Sequence, residues 1–485
     1  MRVLYVTPEL APWIKAGGLG DVAQGLPSAL ARAGVDVRVL APAYRELAQA
    51  FPDANLLANF PEWGGKFAPA QLLIADTAVP LYLLGCPAYF ARGGTAYQSP
   101  AGVDWQDNHL RFGLLGRTAA ALASDESPLD WKPDILHCND WQCGLGPAYL
   151  AHLGGAKAET VSTVHNLAYQ GIFPAAALGE LALPPGAFAI DGLEYHGRVS
   201  FLKSALFYST KLTTVSPTYA KEIQSPQLGF GLDGLLRRRA ADLVGILNGI
   251  DADVWNPARD PHLARTYDAE SLDLKALDKA ALQREFGLPE DARIPLLGMV
   301  SRLVEQKGID LVVPLAARLA ERGIQLVALG SGQRDLETAL GGLAERFPRA
   351  IAVRIGFSEP LAHRIEAGAD LFLMPSRFEP SGLNQLFSMR YGTPPIVHRT
   401  GGLADSVVDA DRAALEAGRA TGFSFDAPSS EALLGAIDRA LEIYRTPERW
   451  RSLQRSAMAR DFSWAASARK YIEVYESALP ATTRA

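Results

Sequence analysis

Short apolar runs alternate with stretches of helical periodicity along almost the whole chain. The first run, Val3-Leu4-Tyr5-Val6, predicts a buried strand, and Val22, Leu26 and Leu30 then recur on one helix face up to Gly34. This alternation favours parallel sheets covered by helices, and its two sets predict two doubly wound α/β domains. The further strand-like runs are 35–40, 79–84, 134–138, 160–164 and 212–215 in the first half, and 295–300, 324–329, 351–355, 370–374 and 395–397 in the second.

The alternation is interrupted between the two sets. Asn248-Gly249-Ile250-Asp251 and Trp255-Asn256-Pro257 lie there, followed by a charged stretch without strand patterning. In doubly wound sheets, ligands bind beyond the carboxyl ends of the strands, so we expect functional residues just after strands, in a cleft shared by both halves. The predicted divisions are an N-terminal Rossmann-like domain over 1–247, a hinge over 248–260, a C-terminal Rossmann-like domain over 261–460, and a terminal helix within 461–485 that packs back on the first domain.

Composition limits the classes of function. The 485 residues exceed what one hydrophobic core usually holds, and 48% hydrophobic with 21% charged residues is typical of a globular protein. A net charge of −6 without long basic runs argues against nucleic-acid binding. The sequence shows neither a leader nor an 18-residue apolar stretch, which predicts a cytoplasmic protein without membrane contact. The three cysteines, Cys86, Cys138 and Cys143, have no common zinc spacing, so we expect reduced thiols and no metal.

The segment from Lys15 to Val22, with the sequence KAGGLGDV, places a cation and three glycines between the first strand and its helix. A helix N-terminus attracts anions, and glycine lets the backbone come close to a ligand. The pattern therefore predicts a phosphate site, although a tight turn with an unrelated lysine would give the same residues.

Two strand-to-helix loops of the second half carry similar chemistry. Arg302 and Lys307 follow the strand at 295–300, where both could reach one diphosphate. Glu379 follows the strand at 370–374, as part of a Glu-Pro-Ser-Gly-Leu segment that could also be a simple helix cap. Thr400-Gly401-Gly402-Leu403 repeats the glycines of the Lys15 loop after a later strand.

Taken together, these motifs resemble the signature set of bacterial glycogen synthases and plant starch synthases over almost the whole chain. The resemblance implies the GT-B architecture, with two Rossmann-like domains facing across a deep cleft. It also implies transfer of glucose from ADP-glucose to the non-reducing end of an α-1,4-glucan, with retention and without a cofactor. The motifs are Lys15 to Val22, His165-Asn166, Asn248 to Asp251, Arg302 with Lys307, Glu379 to Leu383, and Thr400 to Leu403.

The resemblance also implies roles for individual residues. Arg302 and Lys307 would neutralise the leaving diphosphate, Glu379 would face the transferred glucose, and His165 would lie on the side of its 6-hydroxyl. Lys15 would contact a phosphate, and Asp140 the sugar or the incoming acceptor. The predicted catalytic residues are Glu379, Arg302, Lys307 and His165, and the predicted substrate-binding residues are Lys15, Gly18, Asp21, Asp140, Asn166, Asn248, Gly382, Leu383, Asn384 and, as a glucan or nucleotide contact, Tyr97.

The chain departs from the family pattern at two positions. Ser381 and Asn384 stand where many synthases have cysteine and threonine, and we expect backbone N–H donation there to survive these changes. The wider group of retaining transferases has a second glutamate eight residues after the first, where this chain has Phe387. We find no second carboxylate to pair with Glu379, whereas retaining glycosidases use a carboxylate pair. The absence of that glutamate favours the synthase subgroup over UDP-sugar transferases such as sucrose synthases, and the resemblance implies front-face return, in which the leaving phosphate takes the acceptor proton.

Two other functions remain open from the sequence. A glucan phosphorylase would share the two-domain plan but would need pyridoxal phosphate, and a non-catalytic glucan-binding protein could descend from a transferase. The Lys15 loop and the Arg302 and Lys307 pair favour a nucleotide diphosphate donor. The residues do not distinguish ADP from UDP.

Overall fold

The computed structural model describes residues 1–60, 62–155 and 157–480. The chain forms two compact units: unit 1 contains Met1–Gly249 and the segment that begins at Trp464, and unit 2 contains Ile250–Ser463. Residues 250–260, predicted as part of a hinge, thus lie in unit 2. Of the predicted terminal segment, 481–485 lie outside the described residues.

Unit 1 is built on a nine-stranded sheet of order β12-β11-β7-β6-β1-β2-β5-β4-β3. Its strands pair in parallel except at one end, where β3 pairs with β4 and β4 with β5 in antiparallel fashion. The strands are β1 (Arg2–Val6), β2 (Asp36–Pro42), β3 (Asn55–Phe60), β4 (Ala70–Ala75), β5 (Leu81–Gly85), β6 (Ile135–Asn139), β7 (Glu159–Val164), β11 (Lys211–Thr214) and β12 (Leu243–Gly245). A small antiparallel sheet of order β8-β10-β9 contains β8 (Ile172–Pro174), β9 (Glu194–Tyr195) and β10 (Arg198–Ser200).

The helices of unit 1 cover the large sheet. The first helix buries Val22, Leu26 and Leu30, as their spacing predicts. The helices are α1 (Gly18–Arg32), α2 (Arg45–Ala50), α3 (Pro87–Phe90), α4 (Asn108–Leu122), α5 (Gly146–His152), α6 (Ala177–Glu180), α7 (Phe201–Tyr208), α8 (Pro217–Glu222), α9 (Asp233–Arg238) and, at the end of the described chain, α20 (Trp464–Ala478).

Helix α20 packs against α1, within unit 1. The contact is close because α1 has a glycine at the crossing: a Cβ on Gly25 would lie 2.0 Å from the indole nitrogen of Trp464. Further along α20, the buried Tyr475 hydroxyl lies 2.8 Å from Nδ1 of His137 on β6. The last helix is therefore part of the core under the central strands.

Unit 2 is a six-stranded, wholly parallel sheet of order β15-β14-β13-β16-β17-β18. This is the 3-2-1-4-5-6 order of a dinucleotide-binding fold, so the predicted doubly wound class is confirmed. Its strands are β13 (Leu296–Val300), β14 (Gln325–Gly330), β15 (Ile351–Ile355), β16 (Leu371–Met374), β17 (Pro395–His398) and β18 (Phe423–Phe425). Its helices are α10 (Lys275–Glu285), α11 (Ile309–Val312), α12 (Ala316–Glu321), α13 (Arg334–Arg346), α14 (Glu359–Gly368), α15 (Asn384–Arg390), α16 (Gly401–Ser406), α17 (Arg412–Glu416), α18 (Ser430–Tyr444) and α19 (Pro447–Met458).

The composition also led to predictions about membrane contact and about the three cysteines. Among the helices of the described residues, none is long and apolar enough to cross a membrane. Cys86, Cys138 and Cys143 are buried free thiols.

Candidate active site

Each unit has a point where the strand order reverses, and several of the predicted residues lie at these points. In unit 1 the first strand, β1, pairs with β2 on one side and with β6 on the other, and the Lys15 loop follows β1 while Asp140 follows β6. In unit 2, β13 pairs with β14 and β16, so Arg302 and Lys307 follow one of the two central strands and Glu379 follows the other. Such reversal points open a crevice at the carboxyl edge of a sheet, where ligands bind.

The Lys15 loop is held by two carboxylates. The Lys15 ammonium forms an ion pair of 2.7 Å with Asp21, in the first turn of α1. The buried carboxylate of Glu9 accepts hydrogen bonds from the N–H groups of Ala16 at 2.8 Å and Gly17 at 3.2 Å. Two loop N–H groups are thus already engaged, so the predicted phosphate site must use the N–H groups from Gly18 onward.

Tyr97 reaches the Lys15 loop through Glu9. Its hydroxyl donates a hydrogen bond to Glu9, and its carbonyl accepts one from Nδ2 of Asn108 at 3.0 Å. Burial raises the pKa of Tyr97 well above its usual value, so the phenol stays neutral and remains a donor. In this arrangement Tyr97 supports the loop, and its contact with a substrate stays a prediction.

Asp140 adopts an unusual backbone conformation directly after β6. Its φ is 56°, in the left-handed region that non-glycine residues seldom occupy, and its Oδ1 accepts a hydrogen bond of 2.7 Å from the backbone N–H of His165. Burial raises the pKa of Asp140 to about 7, against the hydrogen bonds from the His165 and Asn166 backbone that lower it. Strained residues of this kind cluster at functional sites.

His165 and Asn166 follow the next strand, β7. The Nε2 atom of His165 lies 3.0 Å from Oδ1 of Asn139, and burial lowers the pKa of the imidazole to about 3. The side chain of Asn166 accepts a hydrogen bond of 3.1 Å from the N–H of Ala168, which forms a local turn. Asp140, His165 and Asn166 therefore come together at adjacent strand ends.

In unit 2, Lys307 and Glu379 are in direct contact. The Lys307 ammonium lies 2.5 Å from Oε2 of Glu379, and the hydroxyl of Ser376 donates to the same oxygen at 2.9 Å. The Glu379 residue is only 6% exposed. The two loops are also joined by their backbones, since the N–H of Arg377 donates to the carbonyl of Gln306 at 2.8 Å.

Arg302 differs from the other predicted cations. It is exposed at the end of β13, and within the described ranges no carboxylate lies in ion-pair distance of its guanidinium. Lys15 and Lys307 each have a carboxylate partner. Arg302 is thus the cation most available to an incoming anion.

The turn before α15 presents backbone donors beside these cations. The side chain of Asn384 donates to the carbonyl of Val300, at the end of β13, over 2.6 Å. Gly382 has a φ of 67°. The N–H groups of Gly382, Leu383 and Asn384 form no hydrogen bond within the described chain, so they are free to face a phosphate.

The repeated glycines at 401 and 402 have a different function from those of the Lys15 loop. A Cβ on Gly401 would lie 2.1 Å from the carbonyl oxygen of Glu379, and one on Gly402 would lie 2.1 Å from that of Ser381. The N–H of Gly402 also donates to the Glu379 carbonyl at 3.0 Å. This motif packs under the Glu379 loop and fixes its backbone.

Asn248 and Phe387, both named in the sequence analysis, are surrounded by other residues of the chain. Asn248 is 6% exposed, and its side-chain oxygen has no hydrogen-bond partner in the described part of the chain. Because a buried orphan acceptor is costly, a ligand donor at this point would remove the penalty. Phe387, where the wider group has a second glutamate, stacks on Trp255 with centroids 3.7 Å apart and an angle of 9°.

Several residues of the site were not found from the sequence. Glu9, Asn139 and Ser376 touch predicted residues, but their types and spacings carry no signal of their own. Two exposed aromatic side chains follow strands: Phe357, 73% exposed after β15, and Tyr169, 53% exposed after β7. An aromatic residue in a polar loop after a strand is a signal that could have identified both.

The ring of Trp141, the residue after Asp140, belongs to an aromatic cluster. It packs against Phe112 with centroids 5.1 Å apart and against Phe201 at 6.2 Å. Within residues 1–60, 62–155 and 157–480 no group of three or more His, Cys, Asp or Glu side chains could hold a metal ion.

The comparisons with known proteins agree with this geometry. Residues 2–238 match the family of the starch synthase catalytic domain, and residues 279–456 match glycosyl transferases group 1. The chain is 51% identical over 480 residues to a glycogen synthase of Dechloromonas aromatica, with 99% of each chain covered. The chain belongs to the glycogen synthase family.

Other relatives of this glycogen synthase family member extend the agreement. A glycogen synthase of Aromatoleum aromaticum is 52% identical over 477 residues, covering 98% of this chain and 96% of the relative. The catalytic domain of starch synthase IV from Arabidopsis thaliana, solved bound to ADP and acarbose, superposes with a TM-score of 0.86 at 34% identity, over 98% of this chain and 99% of that one. A sucrose-phosphate synthase from Thermosynechococcus elongatus, at 19% identity and a TM-score of 0.59, shares the fold alone. The predicted family and its GT-B fold class are confirmed.

Proposed function

We propose that this chain is a retaining glucosyltransferase that moves glucose from ADP-glucose to the non-reducing end of an α-1,4-glucan such as glycogen. The observation that carries the proposal is the contact of Lys307 with Glu379, beside Arg302 and at the strand-order reversal of unit 2. The family of the chain and the ADP and acarbose in the solved starch synthase support it.

Arg302 and the neighbouring backbone donors stabilise the negative charge that develops on the leaving diphosphate. Glycosyl transfer cleaves the anomeric C–O bond through an oxocarbenium-like state, while negative charge grows on the diphosphate. Arg302 offers a guanidinium without a carboxylate partner among the described residues, and the N–H groups of Gly382, Leu383 and Asn384 add oriented dipoles. Preorganised donors of this kind lower the barrier because they favour the charge that develops in the transition state.

Lys15 and Lys307 take part by exchanging partners. Each is held by a carboxylate, Asp21 at 2.7 Å and Glu379 at 2.5 Å. A diphosphate carries more charge than one carboxylate, so it competes for both ammonium groups. Release of Lys307 would leave the Glu379 carboxylate to stabilise positive charge on the sugar.

Retention follows from front-face return. The bond between the anomeric carbon and the β-phosphate oxygen breaks, the acceptor 4-hydroxyl oxygen bonds to the same face of that carbon, and the hydroxyl proton passes to a phosphate oxygen. Oε2 of Glu379 is already occupied by Lys307 and Ser376, which suits a charge-stabilising carboxylate better than an attacking one. The stacking of Phe387 on Trp255 leaves no carboxylate at that position.

The two exposed aromatic residues, Phe357 and Tyr169, are candidates for stacking contacts with the two substrates. Phe357 follows β15, two strands from Arg302 in the same sheet, where it would stack on the base of the nucleotide. Tyr169 follows β7 close to His165, where it would stack on a glucose ring of the acceptor. Both rings are exposed without an evident role in folding.

The test measures ADP and UDP release from their glucose conjugates with glycogen as acceptor, together with the anomeric configuration of the new bond by NMR. We expect faster release from ADP-glucose and an α-linked product. Release of glucose 1-phosphate from glycogen and phosphate, in place of nucleotide release, would identify a phosphorylase. Glycogen binding without turnover of either donor would identify a non-catalytic protein.

A further inference from the structure

The surroundings of His165 fix which of its two nitrogens carries hydrogen. Its Nε2 lies 3.0 Å from Oδ1 of Asn139, a residue without solvent exposure at the end of β6. The Asn139 amide has one orientation, because its Nδ2 lies 2.9 Å from the carbonyl oxygen of Val6, and a carbonyl can only accept. The hydroxyl of Tyr5 also donates to Oδ1 of Asn139, at 3.2 Å. The oxygen of Asn139 therefore faces His165.

This arrangement decides the chemistry of the opposite ring nitrogen. Burial lowers the pKa of His165 to about 3, so the ring is neutral at working pH and has a single N–H. An oxygen acceptor at Nε2 requires that N–H to be on Nε2. Nδ1 is then an acceptor, and it has no hydrogen-bond partner among the residues that the structure describes.

We propose that Asn139, supported by Tyr5, fixes His165 as the Nε2–H tautomer, so that the histidine offers the sugar a hydrogen-bond acceptor at Nδ1. The second half of this inference rests on the proposed function and on the position that the family resemblance implies for His165, on the side of the 6-hydroxyl. A hydroxyl there donates to Nδ1, whereas a sugar without a donor at C6 leaves Nδ1 unpaired. Asn139 is then a positioning residue that selects a donor group at this carbon.

Neighbouring His137 shows that such selection is not general. Its Nδ1 lies 2.8 Å from the Tyr475 hydroxyl and its Nε2 lies 2.6 Å from that of Thr163. A hydroxyl can donate or accept, so these partners do not determine the tautomer. Of these two histidines, only His165 faces an oriented amide oxygen.

The tautomer can be observed without turnover. In the full chain labelled with ¹⁵N-histidine, long-range ¹H–¹⁵N spectra at pH 7.5 distinguish a protonated from an unprotonated ring nitrogen, and His165→Gln identifies the signal. We expect a protonated Nε2 and an unprotonated Nδ1. A protonated Nδ1, or a mixture of both forms, would overturn the proposal whatever the enzyme transfers.

The kcat/KM values of two analogues of the sugar donor, compared with each other, test whether Nδ1 is an acceptor. ADP-6-deoxyglucose lacks a group at C6, and ADP-6-deoxy-6-fluoroglucose has one that can accept but not donate. We expect kcat/KM to fall about 10- to 100-fold for the deoxy sugar, as for an unpaired buried polar group, and at least as far for the fluoro sugar. A fluoro sugar used better than the deoxy sugar would indicate a donor at Nδ1 and refute the proposal. Analogues used as well as glucose would refute the role of His165 at C6, while the spectrum would still report the tautomer.

The variant Asn139→Asp tests whether the group that faces Nε2 sets the protonation of Nδ1. A carboxylate facing Nε2 favours the doubly protonated ring, and the other titratable groups nearby are Tyr5, His137 and Asp140. At pH 6 we expect Nδ1 to become a donor and the fluoro sugar to overtake the deoxy sugar. Asn59→Asp, on the exposed edge strand β3, is the matched control and should keep the original order. The same ¹⁵N spectrum shows which form the variant adopts: if both ring nitrogens are protonated and the order is unchanged, the role of Asn139 is refuted. If the aspartate is instead a neutral acid that donates to the Val6 carbonyl in place of the amide, Nε2 alone stays protonated and the original order should be kept.

Discussion

Replacement of Asp140 by asparagine should make the protein more stable at neutral and alkaline pH. Burial raises the pKa of Asp140 to about 7 from its usual 3.8, so ionisation of this carboxyl group lowers the free energy of unfolding. Asparagine keeps an oxygen that can accept from the His165 N–H, and it tolerates the left-handed conformation at a φ of 56°. The substitution thus removes the charge with little change of geometry.

The magnitude follows from the two pKa values. At about 1.36 kcal/mol per pH unit, the difference between about 7 and 3.8 corresponds to at most about 4 kcal/mol. The sign follows from proton binding. Between these pH values the folded protein holds a proton that the unfolded chain has released, so the contribution of Asp140 to stability falls as pH rises. The asparagine of the variant does not titrate, and the advantage of the variant therefore grows up to about pH 7 and is constant above it.

The assay is urea unfolding of wild type and Asp140→Asn between pH 5 and pH 8.5. The difference in free energy of unfolding should increase by about 1.36 kcal/mol per pH unit up to about pH 7, and any constant effect of the substitution cancels from this slope. If Asp140 contacts the sugar or the acceptor, the stabilised variant will also lose activity. A difference that does not change with pH, or that decreases, would refute the raised pKa.

Three further predictions concern other parts of the molecule. Lys307→Ala should lower kcat about 100-fold or more, as expected for loss of one oriented donor to the transition state. The control is Lys279→Ala, which breaks a similarly buried ion pair of 2.6 Å and should lower stability while the folded enzyme keeps a near-normal kcat. Equal kcat values for the two variants would contradict this prediction. Gly25→Ala should reduce the free energy of unfolding by about 1 to 3 kcal/mol despite the better helix propensity of alanine, because its Cβ would lie 2.0 Å from Trp464; a raised melting temperature would show that the helices separate easily. Phe357→Ala should raise KM for ADP-glucose about 5- to 100-fold, as expected for lost base stacking, with unchanged KM for glycogen; an effect on glycogen alone would place the ring on the acceptor side.

The central strands could be predicted because both of their faces are buried. Parallel strands such as β1 and β16 contain runs of four buried apolar residues, and such runs are visible in the sequence. Strands β3 and β4 were not predicted, since β3 is largely exposed and pairs only at the antiparallel edge of the sheet. Its stability comes from a neighbour in space, which local patterning does not record.

The positions of the candidate site residues could be predicted, but their contacts could not. A residue just after a central strand lies at the carboxyl edge whatever its neighbours are, and this holds for Lys15, Arg302 and Glu379. The pairing of Lys307 with Glu379 spans 72 residues, and that of His165 with Asn139 depends on β6 and β7 being adjacent. Glu9 fixes two N–H groups of the Lys15 loop, a contact that local patterning does not reveal.

The two glycine pairs show why similar motifs need not share a function. At Gly17 a Cβ would meet nothing within 4 Å, so the absence of a side chain leaves open space above the Lys15 loop. At Gly401 and Gly402 the same substitution would collide with the backbone of Glu379 and Ser381. Glycine in the first motif therefore leaves open space beside the loop, which the predicted phosphate contact requires, and in the second it makes room for the neighbouring loop. A Cβ at position 402 would collide with the Ser381 carbonyl two residues after Glu379, so a residue larger than glycine there would shift the loop that carries the Glu379 carboxylate.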